Sequence, residues 1–178
     1  MAATVIINEW NGNSSKTDKT GSTVRFKTAD NATVDTNNPI TIPTSGQTHS
    51  YEKWLELAIT GTAPSQRINN LKFYTDGGNG FGTGITMYGE VNPTGSFRSA
   101  AQAASGNAVP LGGSGSITMT NAFAYTAAGA FALSSAAETF SGSTTNIGRF
   151  VVLVMTVSAA ASQGTLTAET GTFSYDEV

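Results

Sequence analysis

The chain contains no cysteine and a single histidine, His49, among its 178 residues. The absence of cysteine excludes disulfide bonds and thiolate-bound metals, and one histidine leaves little material for imidazole catalysis. Charged residues are also scarce, at 12% of the chain compared with roughly 25% in globular proteins. The chain therefore has few groups for acid–base or metal-assisted chemistry, and we expect no cofactor and no enzymatic activity.

Clusters of one charge and long apolar runs are missing too. The nine lysine and arginine residues are scattered between Lys16 and Arg149, with a net charge of −3, which argues against nucleic acid because phosphate binding needs a clustered basic face. The longest apolar run, residues 150–155, is far shorter than the ~20 residues of a membrane helix. The start, MAATVIINEWNG, lacks the pattern of a signal peptide. We therefore expect cytoplasmic synthesis and no membrane partner.

More than half of the chain is Thr, Ala, Gly, Ser or Asn, and short β-branched and aromatic runs lie between clusters of these residues. That pattern is typical of all-β proteins. It predicts strands at residues 4–10, 22–28, 32–34, 40–42, 50–60, 68–75, 84–91, 117–120, 131–133, 149–158 and 165–175. Residues 11–21 are predicted to be a polar loop, and SFRSAAQAA at residues 96–104 predicts a short helix.

The spacing of these elements predicts a single domain of residues 1–178. It is expected to be a two-sheet antiparallel β-sandwich, jelly-roll-like, with long loops and at most one short helix. Residues 149–158, RFVVLVMTVS, are apolar on both faces and should form its most buried strand. Residues 68–75 and 84–91 should be two strands of a wide hairpin whose glycine-rich turn, DGGNGFG, allows positive φ.

Residues 50–60, SYEKWLELAIT, give the clearest strand pattern. Leu55 and Leu57 share an apolar face that only Lys53 interrupts, and Glu52 and Glu56 share the opposite face. This alternation predicts a half-buried strand with a solvated outer face. Along a strand, Glu52 and Glu56 would stand ~13 Å apart, whereas paired glycosidase carboxylates lie about 5 to 9.5 Å apart.

The remaining polar candidates also have simple structural interpretations. The glycine-rich residues 77–84 lack the Lys-Ser or Lys-Thr pair and the following helix of a phosphate-binding loop. Asp76 and Asn79 beside them supply too few oxygens for calcium and are ordinary turn residues. His49 stands near Glu52, but closeness in sequence is no evidence of a catalytic triad, and we interpret it as a surface or interface imidazole.

Aromatic residues provide the best candidate contact sites. Trp10, Trp54, Tyr74, Tyr88 and Tyr125 could form a platform on which sugar rings stack, anchor a subunit interface, or fill the core. The sequence leaves these alternatives open and favours core or interface over a glycan site.

Three stretches resemble a known group of proteins in texture and in order: YEKWLELAIT at residues 51–60, INNLKFYTDGGNGFGTGITMYGEV at residues 68–91 and RFVVLVMTVSAAASQGTLTAETGTFSYDEV at residues 149–178. They are similar to virion structural proteins of tailed bacteriophages, in particular the small β-sandwich proteins that decorate or cement a capsid. The resemblance offers no functional residue at a defined position.

This resemblance implies a non-enzymatic protein on the capsid exterior that binds the major capsid protein and its own copies, with a trimer favoured. Residues 1–21 are interpreted as an N-terminal arm that reaches neighbouring subunits. Many weak contacts add up in a repeating lattice, which suits a chain with few charges. The alternatives are a tail, fibre or head-spike domain and a carbohydrate-binding module.

Overall fold

The computed structural model describes residues 3–60, 67–92, 94–113, 115, 117–142 and 146–178. All strand pairs in these residues are antiparallel. The helical residues of the described part are two 3₁₀ turns, Ala122–Ala124 and Ala127–Gly129. The predicted all-β class is therefore confirmed. No helix in these ranges has the length and apolar character needed to cross a membrane.

The described residues form thirteen strands, which in chain order are β1 (Val5–Asn11), β2 (Ser15–Asp18), β3 (Gln47–His49), β4 (Lys53–Ile59), β5 (Arg67–Thr75), β6 (Ile85–Val91), β7 (Leu111–Gly112), β8 (Ile117–Thr118), β9 (Thr120–Asn121), β10 (Phe131–Ala132), β11 (Thr139–Ser141), β12 (Ile147–Ser158) and β13 (Gly171–Glu177). A large sheet has the order β2-β1-β4-β12-β6-β9, with β3 also paired to β12. A smaller sheet is built around β5, which pairs with β10, β11 and β13. Strands β7 and β8 form a separate pair.

Strand β12 is the centre of the large sheet. It pairs with β4 and β3 on one side and with β6 on the other. Every residue from Phe150 to Val157 is buried, because even and odd positions are both apolar and face opposite sides of the sheet. The predicted segment thus contains eight consecutive buried residues, but Arg149 is exposed, whereas all seven residues of β4 are buried, so β12 is not the most completely buried strand.

The two sheets enclose the main hydrophobic core. Leu55 and Leu57 of β4 and Leu153 of β12 contribute to it from the large sheet, and Leu71 and Phe73 of β5 contribute from the smaller one. All five side chains are at most 4% exposed. The predicted two-sheet sandwich is thus present.

The second face of the large sheet is also covered. Trp10, Trp54 and Phe150 lie on this outer face and pack against Phe97. Phe97 belongs to residues 94–113, a stretch that is irregular except for β7 near its end and that we call the covering segment. All seven residues of β4 are buried as a result. The prediction of a solvated outer face for this strand is wrong, because the covering segment takes the place that water would have.

The predicted helix at residues 96–104 is wrong for the same reason. The backbone of Ala101 accepts a hydrogen bond from the Glu52 amide at 2.8 Å, and Gln102 forms an isolated antiparallel bridge with Tyr51. These contacts hold the covering segment extended along the sheet, so tertiary packing overrides a modest local helix propensity.

Strand predictions fail in the region between β2 and β3. Residues 22–28, 32–34 and 40–42 are not strands, although Val24 and Phe26 still pack against the core. In residues 165–175 only the end from Gly171 onward is a strand, as part of β13. Val24, Phe26, Ile40 and Ile42 are partly buried and pack against core residues without forming a backbone ladder, whereas Val34 is 54% exposed.

The predicted hairpin between residues 68–75 and 84–91 is also wrong. These segments form β5 and β6, but β5 belongs to the smaller sheet and β6 to the large one. The glycine-rich connection therefore crosses from one sheet to the other. Positive φ is present as expected, at 88° for Gly77, 94° for Gly82 and 77° for Gly84.

Most of the predicted N-terminal arm lies in the large sheet of this chain. Strand β1 pairs with β4 on one side and with β2 on the other. Residues 15–18, predicted to be loop, instead form β2. Residues 1 and 2 lie outside the described residues.

Glycine at position 148 is required by both conformation and space. Its φ is 72°, and a Cβ there would lie 2.8 Å from the carbonyl oxygen of Leu133. Gly12 offers a matched comparison, because its φ is 48° but a Cβ there would have no heavy atom within 4 Å. An alanine at Gly12 would therefore introduce backbone strain alone, whereas an alanine at Gly148 would introduce both strain and steric overlap.

We expect Gly12→Ala to lower the free energy of unfolding by about 1 kcal/mol, from left-handed backbone strain alone. Gly148→Ala should lower it by about 3 kcal/mol, because overpacking against the Leu133 carbonyl adds to the strain. Urea unfolding of both variants measures the difference, and equal losses would contradict this account.

Candidate functional site

The outer face of the large sheet carries the densest group of aromatic and titratable side chains, which we call the outer-face cluster: Trp10, His49, Glu52, Trp54, Glu56 and Glu90. Strands β1, β3, β4 and β6 and the β3–β4 connection supply these residues. All of them are buried. Of the five aromatic residues that the sequence suggested as contact sites, Trp10 and Trp54 are therefore enclosed by the chain itself.

Four aromatic rings join the covering segment to the sheet. Phe97 lies 5.3 Å from both Trp10 and Trp54, measured between ring centroids. Phe150 of β12 lies 5.6 Å from Trp10 and 5.4 Å from Trp54, each in an edge-to-face arrangement. Such pairs are favourable beyond the area they bury. At 8% and 0% exposure, Trp10 and Trp54 cannot present a ring face to a sugar at the surface of this chain.

Glu52 fastens the covering segment to the sheet. Its Oε2 atom accepts hydrogen bonds from the indole nitrogen of Trp54 at 2.8 Å and from the amide of Ala101 at 3.1 Å. Nearby, the side-chain amide of Gln102 donates to the carbonyl oxygen of His49 at 2.7 Å. The carboxylate predicted to lie on a wet face is instead an internal acceptor for a backbone amide that the sheet leaves unpaired.

Glu56 and Glu90 are buried without comparable partners. Burial raises the pKa of Glu56 to about 7, and the nearby Trp10 indole and Lys16 ammonium offset only part of this effect. Burial also raises the pKa of Glu90 to about 7, with Glu52 adding repulsion and Arg98 opposing it. Within the described residues, neither Glu90 oxygen nor Oε1 of Glu56 has a hydrogen-bond partner.

His49 is buried beside this group, whereas the sequence predicted a surface or interface imidazole. Its Nδ1 atom lies 2.8 Å from the hydroxyl oxygen of Thr156 on β12, and the residue is 1% exposed. Burial lowers the pKa of the imidazole, and the backbone of Asn107 in the covering segment opposes this only in part. His49 is therefore a buried residue of the sheet whose neutral imidazole is hydrogen-bonded to the Thr156 hydroxyl.

A second group of charges lies on the inner face of the large sheet. Glu9, 0% exposed, accepts a hydrogen bond from the ammonium of Lys53 at 2.9 Å, and the ammonium of Lys19 lies 3.7 Å from its other oxygen. Burial lowers the pKa of Lys53, and the Glu9 carboxylate counteracts this shift. The two ammonium groups on either side of the Glu9 carboxylate provide the opposite charge that a buried ion needs.

These lysines also hold an irregular loop against the sheet. Lys53, Lys19 and Lys27 donate to the consecutive carbonyl oxygens of Asn31, Ala32 and Thr33, at 2.8, 2.6 and 2.9 Å. Lys27 also pairs with Asp35 at 3.2 Å. Sequence reasoning missed this group, although Lys53 was visible as the one charge interrupting the apolar face of residues 50–60.

The other candidates from the sequence lie apart from one another. Tyr74 of β5 is partly exposed and lies opposite Thr172 in the smaller sheet. Tyr88 of β6 packs partly buried against the aromatic rings of the outer face, and Tyr125 stacks on Phe131 at 3.6 Å between centroids.

The turn after β5 uses its polar side chains internally. Asp76 accepts a hydrogen bond from the Gly78 amide at 2.9 Å, and the side-chain amide of Asn79 donates to the carbonyl oxygen of Ile85 at 2.7 Å. In the ranges that the structure describes, no three His, Cys, Asp or Glu residues are grouped so that they could hold a metal ion.

Comparisons with protein-family models, with curated proteins and with solved structures find no match to this chain.

Glu9 gives a test of the inner-face charges. Glu9→Gln removes the carboxylate that directly contacts the buried ammonium groups of Lys19 and Lys53. We therefore expect the free energy of unfolding to fall by about 3 kcal/mol or more, the usual effect of removing one partner of a buried ion pair. Denaturant unfolding at pH 7 measures it. The exposed residue Glu138 provides the control Glu138→Gln, and an equally small loss in both variants would contradict a buried ion pair.

For Glu90 we expect the opposite effect, namely that replacing the carboxyl group stabilises the protein at high pH. Because its folded-state pKa of about 7 lies above the ordinary value of 4.5, the unfolded chain releases this proton first as pH rises. Stability is therefore lost between pH 4.5 and 7, by up to about 3 kcal/mol. Glu90→Gln should stabilise the protein at pH 8 and have little effect at pH 4.5.

The measurement is the difference in melting temperature between Glu90→Gln and the native protein across this pH range. Taking the difference cancels contributions from His49 and Glu56, which both forms share. A difference that stays constant with pH would show that Glu90 ionises freely in the folded protein.

Proposed function

We propose that this chain is a virion structural protein that decorates a bacteriophage capsid, binds major capsid subunits and its own copies, and has no enzymatic activity. The observation that carries the proposal is the location of its charges. Of nine lysine and arginine residues and twelve aspartate and glutamate residues, three lysines and four glutamates are buried.

Burial of these charges leaves a surface in which neutral hydroxyl and amide side chains predominate. The charged side chains that remain outside the core are spread over many elements, from Lys16 and Asp18 on β2 to Asp176 and Glu177 on β13. A neutral polar surface can be covered by a neighbouring subunit without the large cost of removing ions from water. This suits a protein whose contacts are repeated over a lattice and add up through effective concentration.

The placement of the titratable groups supports a non-enzymatic role. Glu52, Glu56, Glu90 and His49 are the residues best suited to acid–base chemistry, and each is at most 6% exposed. The covering segment closes the face on which they lie, and Glu52 is engaged with its backbone. Glu52 thereby holds irregular chain against the sheet.

The proposal is tested on particles of the phage that encodes the chain. Shells stripped of accessory proteins are mixed with the purified chain at micromolar concentration and sedimented, and their melting temperature is measured. We expect the chain to co-sediment and to raise the melting temperature of the shell. Failure to bind such shells would contradict the proposal.

Copy number in purified virions gives an independent test. Quantitative mass spectrometry should find on the order of one copy per major capsid subunit, as a lattice-wide decoration requires. A few copies per particle would indicate a spike or fibre instead. Complete absence from the particle would contradict a virion role and leave a free binding module, with the partly exposed Tyr74 as the first residue to examine.

A further inference from the structure

Strand β2 forms an open edge of the large sheet. Within the described residues it pairs only with β1, and all four of its residues are exposed. An edge strand of this kind offers unpaired backbone N–H and C=O groups to another chain.

The pairing with β1 fixes which of its backbone groups point outward. The amide of Lys19 donates to the carbonyl oxygen of Ile7 at 2.7 Å, and the same register continues as Glu9 opposite Thr17. In an antiparallel ladder, hydrogen-bonded and non-hydrogen-bonded pairs alternate. Ser15 and Thr17 therefore bond to β1, and the backbone groups of Lys16 and Asp18 face away from the sheet.

The two outward-facing positions carry opposite charges. The Lys16 ammonium lies 4.4 Å above the Trp10 ring and donates to Asn146 Oδ1 at 2.9 Å, which holds it on the outer face of the sheet. Asp18 lies on the same face, two residues along the strand. A hydrogen bond from the Thr20 amide, 2.8 Å long, holds the pKa of Asp18 below its usual value and keeps this carboxylate charged at neutral pH.

We propose that two copies of the chain join edge to edge through β2, antiparallel and centred on Thr17, so that their large sheets become one continuous sheet. In this register Lys16 of each copy lies opposite Asp18 of the other. Each outward-facing backbone group of Lys16 and Asp18 then finds a partner. The two Lys16–Asp18 cross-strand pairs bring opposite charges together, which is favourable on a sheet face. The arrangement has two-fold symmetry, in contrast to the trimer expected from sequence resemblance.

The charges also select a second copy over other partners. Charged residues on an edge strand discourage indiscriminate pairing, but here the two-fold register converts the same charges into attraction. The contact is short and so weak in solution, because stable interfaces usually bury more than about 1,000 Å². The inference rests on the self-association included in the proposed function, and it can be tested without a capsid.

Analytical ultracentrifugation of the isolated chain over a wide concentration range is the first measurement. We expect the mass to rise from the 18.3 kDa of one chain towards twice that value. Lys16→Asp and Asp18→Lys each place like charges opposite one another and should abolish this rise. The double variant Lys16→Asp with Asp18→Lys restores opposite charges and should restore the dimer.

Two controls separate pairing from misfolding. Glu138→Lys changes an exposed charge in the connection between β10 and β11 and should leave the dimer intact. Circular dichroism melting shows whether each variant folds. Amide hydrogen exchange provides a second readout: the amides of Lys16 and Asp18 should gain protection as concentration rises, while that of Thr17, already bonded to β1, should not change.

A chain that stays monomeric at every concentration would overturn the inference. A dimer that persists in both single charge variants would overturn it as well, because another surface would then be responsible. Shell binding by a strictly monomeric chain would leave the decoration proposal intact and remove only the β2 contact, so the two failures are distinguishable.

Discussion

The apolar character of β12 on both faces constrains the rest of this structure. A strand with no polar face must be shielded from water on two sides. The smaller sheet covers one side, where Leu71 and Phe73 of β5 meet Leu153 of β12. On the other side the described part of the chain has only the short β7–β8 pair, so the mostly irregular covering segment takes that place.

Covering a sheet with irregular chain brings backbone polar groups into a region without water, and each of these groups needs a partner. Buried charges supply the partners on both faces. On the inner face, Lys19, Lys27 and Lys53 donate to three consecutive carbonyl oxygens of one loop. On the outer face, Glu52 accepts from the amide of Ala101. Glu52 and these three lysines are thus explained by the irregular segments that they hold.

This arrangement has a consequence for the surface. Only 12% of the residues are charged, and several of these are buried. Few charged side chains are therefore left on the surface, where hydroxyl and amide side chains predominate. Glu56 and Glu90 are the exception, because both are buried without hydrogen-bond partners at the oxygens named above. Burial opposes the ionisation of both carboxyl groups, so their enclosure lowers stability as pH rises towards and above 7.

Local pattern by itself determined the all-β class, the segments that form β1, β4, β5, β6 and β12, and the burial of residues 150–157 in β12, because alternation and β-branched runs act over a few neighbouring residues. Only the tertiary structure decided that β5 and β6 belong to different sheets and that residues 96–104 are extended. It also decided that Glu52, Glu56, His49 and Trp54 are enclosed. The faces of a strand are set by its own sequence, but what covers each face is set by distant segments, and periodicity carries no information about them.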